Sequence, residues 1–132
     1  MKHVIVVEDD EYNAVLFRKV LEKRLQCRVT ITEDPGDVLR AVRAGDVALV
    51  IMDVSLKRSQ WEGRPVGGVE ISRLIRGESA RQVPILLATA HAMRGDAEQL
   101  LAESGADGYV AKPIVDHEAF AAHARELMER AA

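Results

Sequence analysis

Val47-Ala48-Leu49-Val50-Ile51-Met52-Asp53 is the stretch whose reading decides the fold. Its apolar run shows no alternation with polar residues. A strand of that kind is dry on both faces, as happens when helices cover both sides of a parallel sheet. Working outward, Val4-Ile5-Val6-Val7 and Pro84-Ile85-Leu86-Leu87-Ala88 repeat the pattern, and Val29-Thr30-Ile31 and Tyr109-Val110-Ala111 are shorter versions of it. Between these runs the apolar spacing turns helical. Ala14, Leu16, Phe17, Val20, Leu21 and Leu25 make one stripe. Val38, Leu39 and Val42, closed by Gly45, make the next. Val69, Ile71, Leu74 and Ile75 precede Gly77; Ala97, Leu100, Leu101 and Ser104 precede Gly105; Ala119, Phe120, Ala124, Leu127 and Met128 come last. A glycine just past a periodic segment reads as a helix cap. Strand–helix alternation five times over predicts an α/β domain with right-handed crossovers.

Composition agrees with this and narrows the function. The chain has 132 residues, 48% apolar and 30% charged, which is ordinary globular composition. It fits one domain, 1–132, with a core that needs no staples. Eighteen basic against 21 acidic residues leave a net charge of −3, so direct nucleic-acid binding is not expected. The single cysteine, Cys27, excludes an intrachain disulfide, points to a reducing, cytoplasmic setting and reads as a small buried hydrophobe. No run is long enough to span a membrane, and Met1-Lys2-His3 leads straight into a strand. One domain filling the chain leaves no room for an output domain. One connection is long: Val54 to Gly67 separates the third strand from its helix, where two to six residues are usual.

In an open doubly wound sheet, ligands bind beyond the carboxyl ends of the strands. Those ends carry Glu8-Asp9-Asp10-Glu11, Asp53, Thr89-Ala90-His91 and Lys112-Pro113. Each residue alone has a plain structural reading: a helix's acidic first turn, a cap, a strand end, a surface lysine. Their convergence changes this. Glu8, Asp9 and Asp53 would repel one another at close range, and a hard divalent cation with oxygen ligands, Mg²⁺, relieves the conflict. Lys112 and Thr89 can bind phosphoryl oxygens, and a carboxylate can accept a phosphoryl group. Asp10 and Glu11 fit a helix start whatever their neighbours do. His3, His117 and His123 lack metal-ligand spacing and are expected at the surface.

These residues resemble a response-regulator receiver domain of two-component signalling, over essentially the whole chain. The resemblance rests on the acidic pair Glu8-Asp9, on Asp53 as phospho-acceptor, on Thr89-Ala90 as switch hydroxyl and small neighbour, on Lys112-Pro113, and on Tyr109 as aromatic switch. It implies a flavodoxin-like (βα)5 fold, with a five-stranded parallel sheet in the order 2-1-3-4-5. It implies Mg²⁺ held by Asp9, Asp53 and the backbone carbonyl of Ser55, with Glu8 acting through water. It further implies a sensor histidine kinase or histidine phosphotransfer protein as donor. A downstream protein would read the face of the fourth helix, fifth strand and fifth helix. A receiver without an attached effector would act as a stand-alone, chemotaxis-regulator-like module, by protein binding or phosphorelay. It would be no enzyme beyond its own phosphorylation and dephosphorylation.

The chain departs from the pattern in the 54–67 connection. Leu56-Lys57 stands where Met-Pro is usual, and Gly67-Gly68 comes about seven residues late. The extra segment carries Trp61 between Arg58 and Arg64, residue types favoured at interfaces. It reads either as a partner-docking loop or as a segment in which Trp61 folds back as a local anchor. Ser55 and His91 occupy the positions that tune phosphoryl lifetime in the family. Two other functions remain open: a degenerate scaffold receiver that is never phosphorylated, and an aspartate-nucleophile phosphohydrolase. The second is disfavoured because Asp53-Val54-Ser55 lacks the second acid of such enzymes. A dinucleotide binder would need glycines after the first strand, where the acids stand.

Overall fold

The computed structural model describes residues 1–78, 82–90 and 94–131. Five parallel strands form the central sheet: β1 (His3–Val7), β2 (Arg28–Thr32), β3 (Val47–Asp53), β6 (Ile85–Thr89) and β7 (Gly108–Ala111). Their order is β2-β1-β3-β6-β7. With the short antiparallel pair β4 (Gln60–Trp61) and β5 (Arg64–Pro65) set apart, this is the expected 2-1-3-4-5. The helices are α1 (Glu11–Leu25), α2 (Pro35–Ala44), α3 (Gly68–Glu78), α4 (Arg94–Ser104) and α5 (His117–Ala131).

Strand alternation sends side chains to two separate cores. Val4, Val6, Leu49, Ile51, Leu86 and Ala88 point to one face and pack under α1 and α5. Ile5, Val7, Val50, Met52, Ile85 and Leu87 point to the other, under α2 and α3. Both faces are dry, which is why β1, β3 and β6 needed unbroken apolar runs. Edge strand β2 is exposed at Arg28 and Thr30.

Local chemistry sets the helix ends. The Asp10 carboxylate accepts the Asn13 N–H and caps α1; Asp34 accepts from Gly36 N–H and caps α2. Gly45 closes α2 in the left-handed region at φ 84°. Gly77, read as a cap, lies instead inside α3, whose last residue is Glu78. The periodic apolar stripe ends before the helix does, because the final turn faces solvent at Gly77 and Glu78. Cys27 is buried, as expected, and burial pushes its thiol pKa up.

The histidine expectation needs correcting. His117 and His123 are half-buried, but His3 is buried within β1, its Nε2 2.8 Å from the Thr30 hydroxyl. Burial first, then the charge of Arg28, lowers the His3 pKa. A histidine at the first position of a central strand is covered by its neighbours whatever its spacing from other ligands.

Candidate functional site at the carboxyl edge of the sheet

Parallel β1, β3 and β6 end in one row, and the residues just past or at their ends meet there. The register pairs Val7 with Met52 and Asp53 with Ala88, so Glu8 and Asp53 leave the sheet as neighbours. One carboxylate oxygen from each of Glu8, Asp9 and Asp53 lies within 4.8 Å of the others. Glu8 is 3% exposed and Asp53 2%, while Asp9 is half-buried.

Lys112 supplies the counter-charge. It follows β7, its N–H donating to the Thr89 carbonyl at 2.8 Å, which anchors it to the end of β6. Its Nζ donates to Asp53 Oδ1 at 2.8 Å and to Glu8 Oε1 at 3.2 Å. The Lys112–Pro113 peptide bond is cis. Burial of the ammonium works to lower its pKa. The hydrogen bond and charge of Asp53, and then those of Glu8, outweigh this and raise it, so Lys112 stays charged. Glu8 goes the other way. Burial first, then the hydrogen bond and charge of Asp53, push its pKa up to about 7. One lysine is thus shared among carboxylates that cannot all ionise at low cost. The donor set is all oxygen and partly buried, and three carboxylates facing one lysine leave it two positive charges short when all are ionised, which fits Mg²⁺.

Thr89 is buried at the end of β6 and paired with Ala111 of β7. Tyr109 is half-buried on β7 and packs against the core under α2 and α3. Ser55 is exposed at the mouth, and its N–H donates to Asp53 Oδ1 at 3.2 Å. His91 lies outside the described residues. Arg64 is exposed on β5, and Trp61 is half-buried against the core beneath α2 and α3. Arg58 turns back toward the site, pairing with Glu33.

Glu33 is the residue that the sequence reading missed. It sits just beyond β2, so the rule that selected the other strand ends would have found it too. The short β4–β5 pair was also missed, because two-residue strands carry no readable alternation.

Comparison with known proteins agrees with this geometry. The response regulator receiver domain family matches residues 4–125. The polar-differentiation response regulator DivK of Brucella ovis is 33% identical over 115 residues, covering 86% of this chain and 85% of DivK. A solved receiver domain of the sensor histidine kinase PA1611 from Pseudomonas aeruginosa holds a magnesium ion in its active-site cleft. It is 27% identical with a TM-score of 0.73, covering 98% of this chain and 96% of that one. The receiver domain of Francisella response regulator 1452 superposes with a TM-score of 0.81 at 16% identity over the whole of both chains, a likeness of fold. No helix among the described residues is long and apolar enough to cross a membrane.

Proposed function

The chain belongs to the response-regulator receiver family of two-component signalling, and from that premise we propose that it accepts a phosphoryl group on Asp53. The donor is a phosphohistidine on a sensor kinase or histidine phosphotransfer protein. The observation that carries this reading is the lysine bridge: Lys112 Nζ holds Asp53 Oδ1 and Glu8 Oε1 together at the sheet edge.

The chemistry follows from the side chains. A carboxylate oxygen of Asp53 attacks phosphorus, the P–N bond to the donor imidazole breaks, and the imidazole departs with its electron pair and takes up a proton. Lys112 and the Ser55 N–H both bind Oδ1, which supports Oδ2 as the attacking atom. Lys112 then stands beside the new acyl-phosphate as a fixed point charge. Glu8, Asp9 and Asp53, with the Ser55 carbonyl, would hold Mg²⁺. When bound, the ion offsets negative charge on the transferring group. Thr89, at the next strand end, binds a phosphoryl oxygen, and Tyr109 two strand positions before Ala111 responds to its movement. That couples the site to the face of α4, β7 and α5, where a downstream protein reads the state. Ser55 and His91 set the lifetime of the acyl-phosphate. The only reaction is the chain's own phosphorylation and dephosphorylation, in the cytoplasm, and the domain signals by protein binding or phosphorelay.

Incubation with Mg²⁺ and acetyl phosphate tests this. The expected product is one phosphoryl adduct per chain, acid-stable and base-labile, that Asp53→Asn abolishes. Failure of the unmodified protein to form it would favour the scaffold reading. Rapid multiple turnover on phosphate esters would favour a hydrolase.

A further inference from the structure

The long β3–α3 connection reaches back into the site through three consecutive residues. The Lys57 N–H donates to Asp9 Oδ2 at 2.7 Å. The Arg58 guanidinium forks onto Glu33, with Nε 2.9 Å from Oε1 and Nη2 2.9 Å from Oε2. The same Nη2 donates to the main-chain carbonyl of Asp9 at 3.2 Å. The hydroxyl of Ser59, which is buried, donates to the Glu33 carbonyl at 2.6 Å. The loops after β1, β2 and β3 are therefore tied to one another at their tips, and Asp9 is gripped at both its main chain and its carboxylate. Two-pronged arginine–carboxylate geometry fixes direction as well as distance.

We infer that Arg58 is a positioning residue. Clamped by Glu33, it holds the Lys57 amide on the Asp9 carboxylate and so sets the affinity of the site for Mg²⁺. The inference rests on the acidic cluster being the Mg²⁺ site. Of the three acids Asp9 is the least buried, so packing restrains it least and donors from the insertion restrain it most. Groups that hydrogen-bond a metal ligand from behind fix its rotamer and remove the entropy cost of ordering it when the ion arrives. The extra length of this connection has a use in that frame: it lets the chain after Asp53 cross the mouth of the site and fasten onto Glu33.

The test uses the intact chain. Mg²⁺ is titrated calorimetrically into the unmodified protein, Arg58→Ala, Arg58→Lys, Glu33→Gln and the Arg58→Ala/Glu33→Gln pair. Amide hydrogen exchange at Lys57 is followed without metal. Arg58→Ala is expected to weaken Mg²⁺ binding about threefold to tenfold, at or below the low end for a residue behind a metal ligand because the ion pair is solvent-exposed. Glu33→Gln should shift it the same way by less, with Arg58→Lys between. The double variant should be no worse than Arg58→Ala. Lys57 exchange should speed up in every variant, and acetyl-phosphate labelling of Asp53 should recover its normal rate at saturating Mg²⁺. A purely architectural arginine would not give a defect that added Mg²⁺ removes. Unchanged Mg²⁺ affinity with unchanged Lys57 protection in Arg58→Ala would overturn the inference, as would additive losses in the double variant. If Arg58→Ala does not fold, Glu33→Gln and Arg58→Lys carry the same comparison. If the unmodified protein binds no Mg²⁺, the site reading fails, and unchanged Lys57 exchange would then overturn the clamp as well.

Discussion

Glu8 shows at the scale of one residue how a buried acidic cluster is built against stability. Its carboxyl is buried beside Asp53, and burial together with that neighbour raises its pKa from 4.5 to about 7. A group with a raised folded pKa binds protons more tightly in the folded state. Its contribution to stability is therefore complete below about pH 4.5 and is lost as the pH rises through 7. In a chelator, Glu8→Gln should match the unmodified protein in urea unfolding at pH 4.5. At pH 8 it should be the more stable by on the order of 3 kcal/mol. An equal difference at both pH values would show that Glu8 pays no charge-burial cost. The position of Glu8 was readable from the strand-end rule, and so were Asp9, Asp53, Thr89 and Lys112. The raised pKa of Glu8 was not, because it depends on burial and on the Asp53 carboxylate beside it, and both are fixed only when strands far apart in sequence come together.

At the scale of an element, α3 is positioned by an absence of side chain. A β-carbon at Gly68 would run into the main-chain carbonyl of Asp53 and come within 3.0 Å of the Met52 side chain. The Gly68 N–H donates to the Val54 carbonyl at 3.2 Å, so the first turn of α3 sits directly on the chain that leaves Asp53. Alanine is normally the better helix former by about 1 kcal/mol. Here the clash should reverse that, and Gly68→Ala is expected to destabilise the protein by about 1–2 kcal/mol. It should also slow phosphorylation of Asp53, read by the rate of acetyl-phosphate labelling. A stabilised variant with normal labelling would show that the turn has room to move. Gly67-Gly68 comes late in the sequence, and the segment before it shows no periodic pattern. The β4–β5 pair inside it is held by contacts elsewhere: Trp61 and Val66 against the core under α2 and α3, and Ser59 against the loop after β2. Spacing within the segment carries none of that information. The five main strands are different, since each is long enough for its dry pattern to show.

The whole molecule consists of two cores that share one sheet. Phe120 of α5 meets Phe17 of α1 with ring centroids 5.3 Å apart, in the core on one face. Trp61 lies on the opposite face. The two cores touch different side chains of the same strands: Val6 and Ile51 serve one, Val7 and Met52 the other. Neither core can be lost while those strands keep their order, because a strand stripped on one side exposes an apolar row that water cannot solvate well. The cores should therefore unfold together. Truncating a buried phenylalanine costs about 3–5 kcal/mol, from lost transfer energy plus the cavity left behind. Phe120→Ala should lower the urea midpoint by a corresponding amount. Trp61 fluorescence, which reports the face that was not mutated, should shift by as much as far-UV circular dichroism does. Coincident transitions mark a single cooperative unit. A fluorescence midpoint that stayed put while the helical signal fell would mean that the side carrying the insertion holds itself together, and that the sheet transmits less between its faces than shared strands demand.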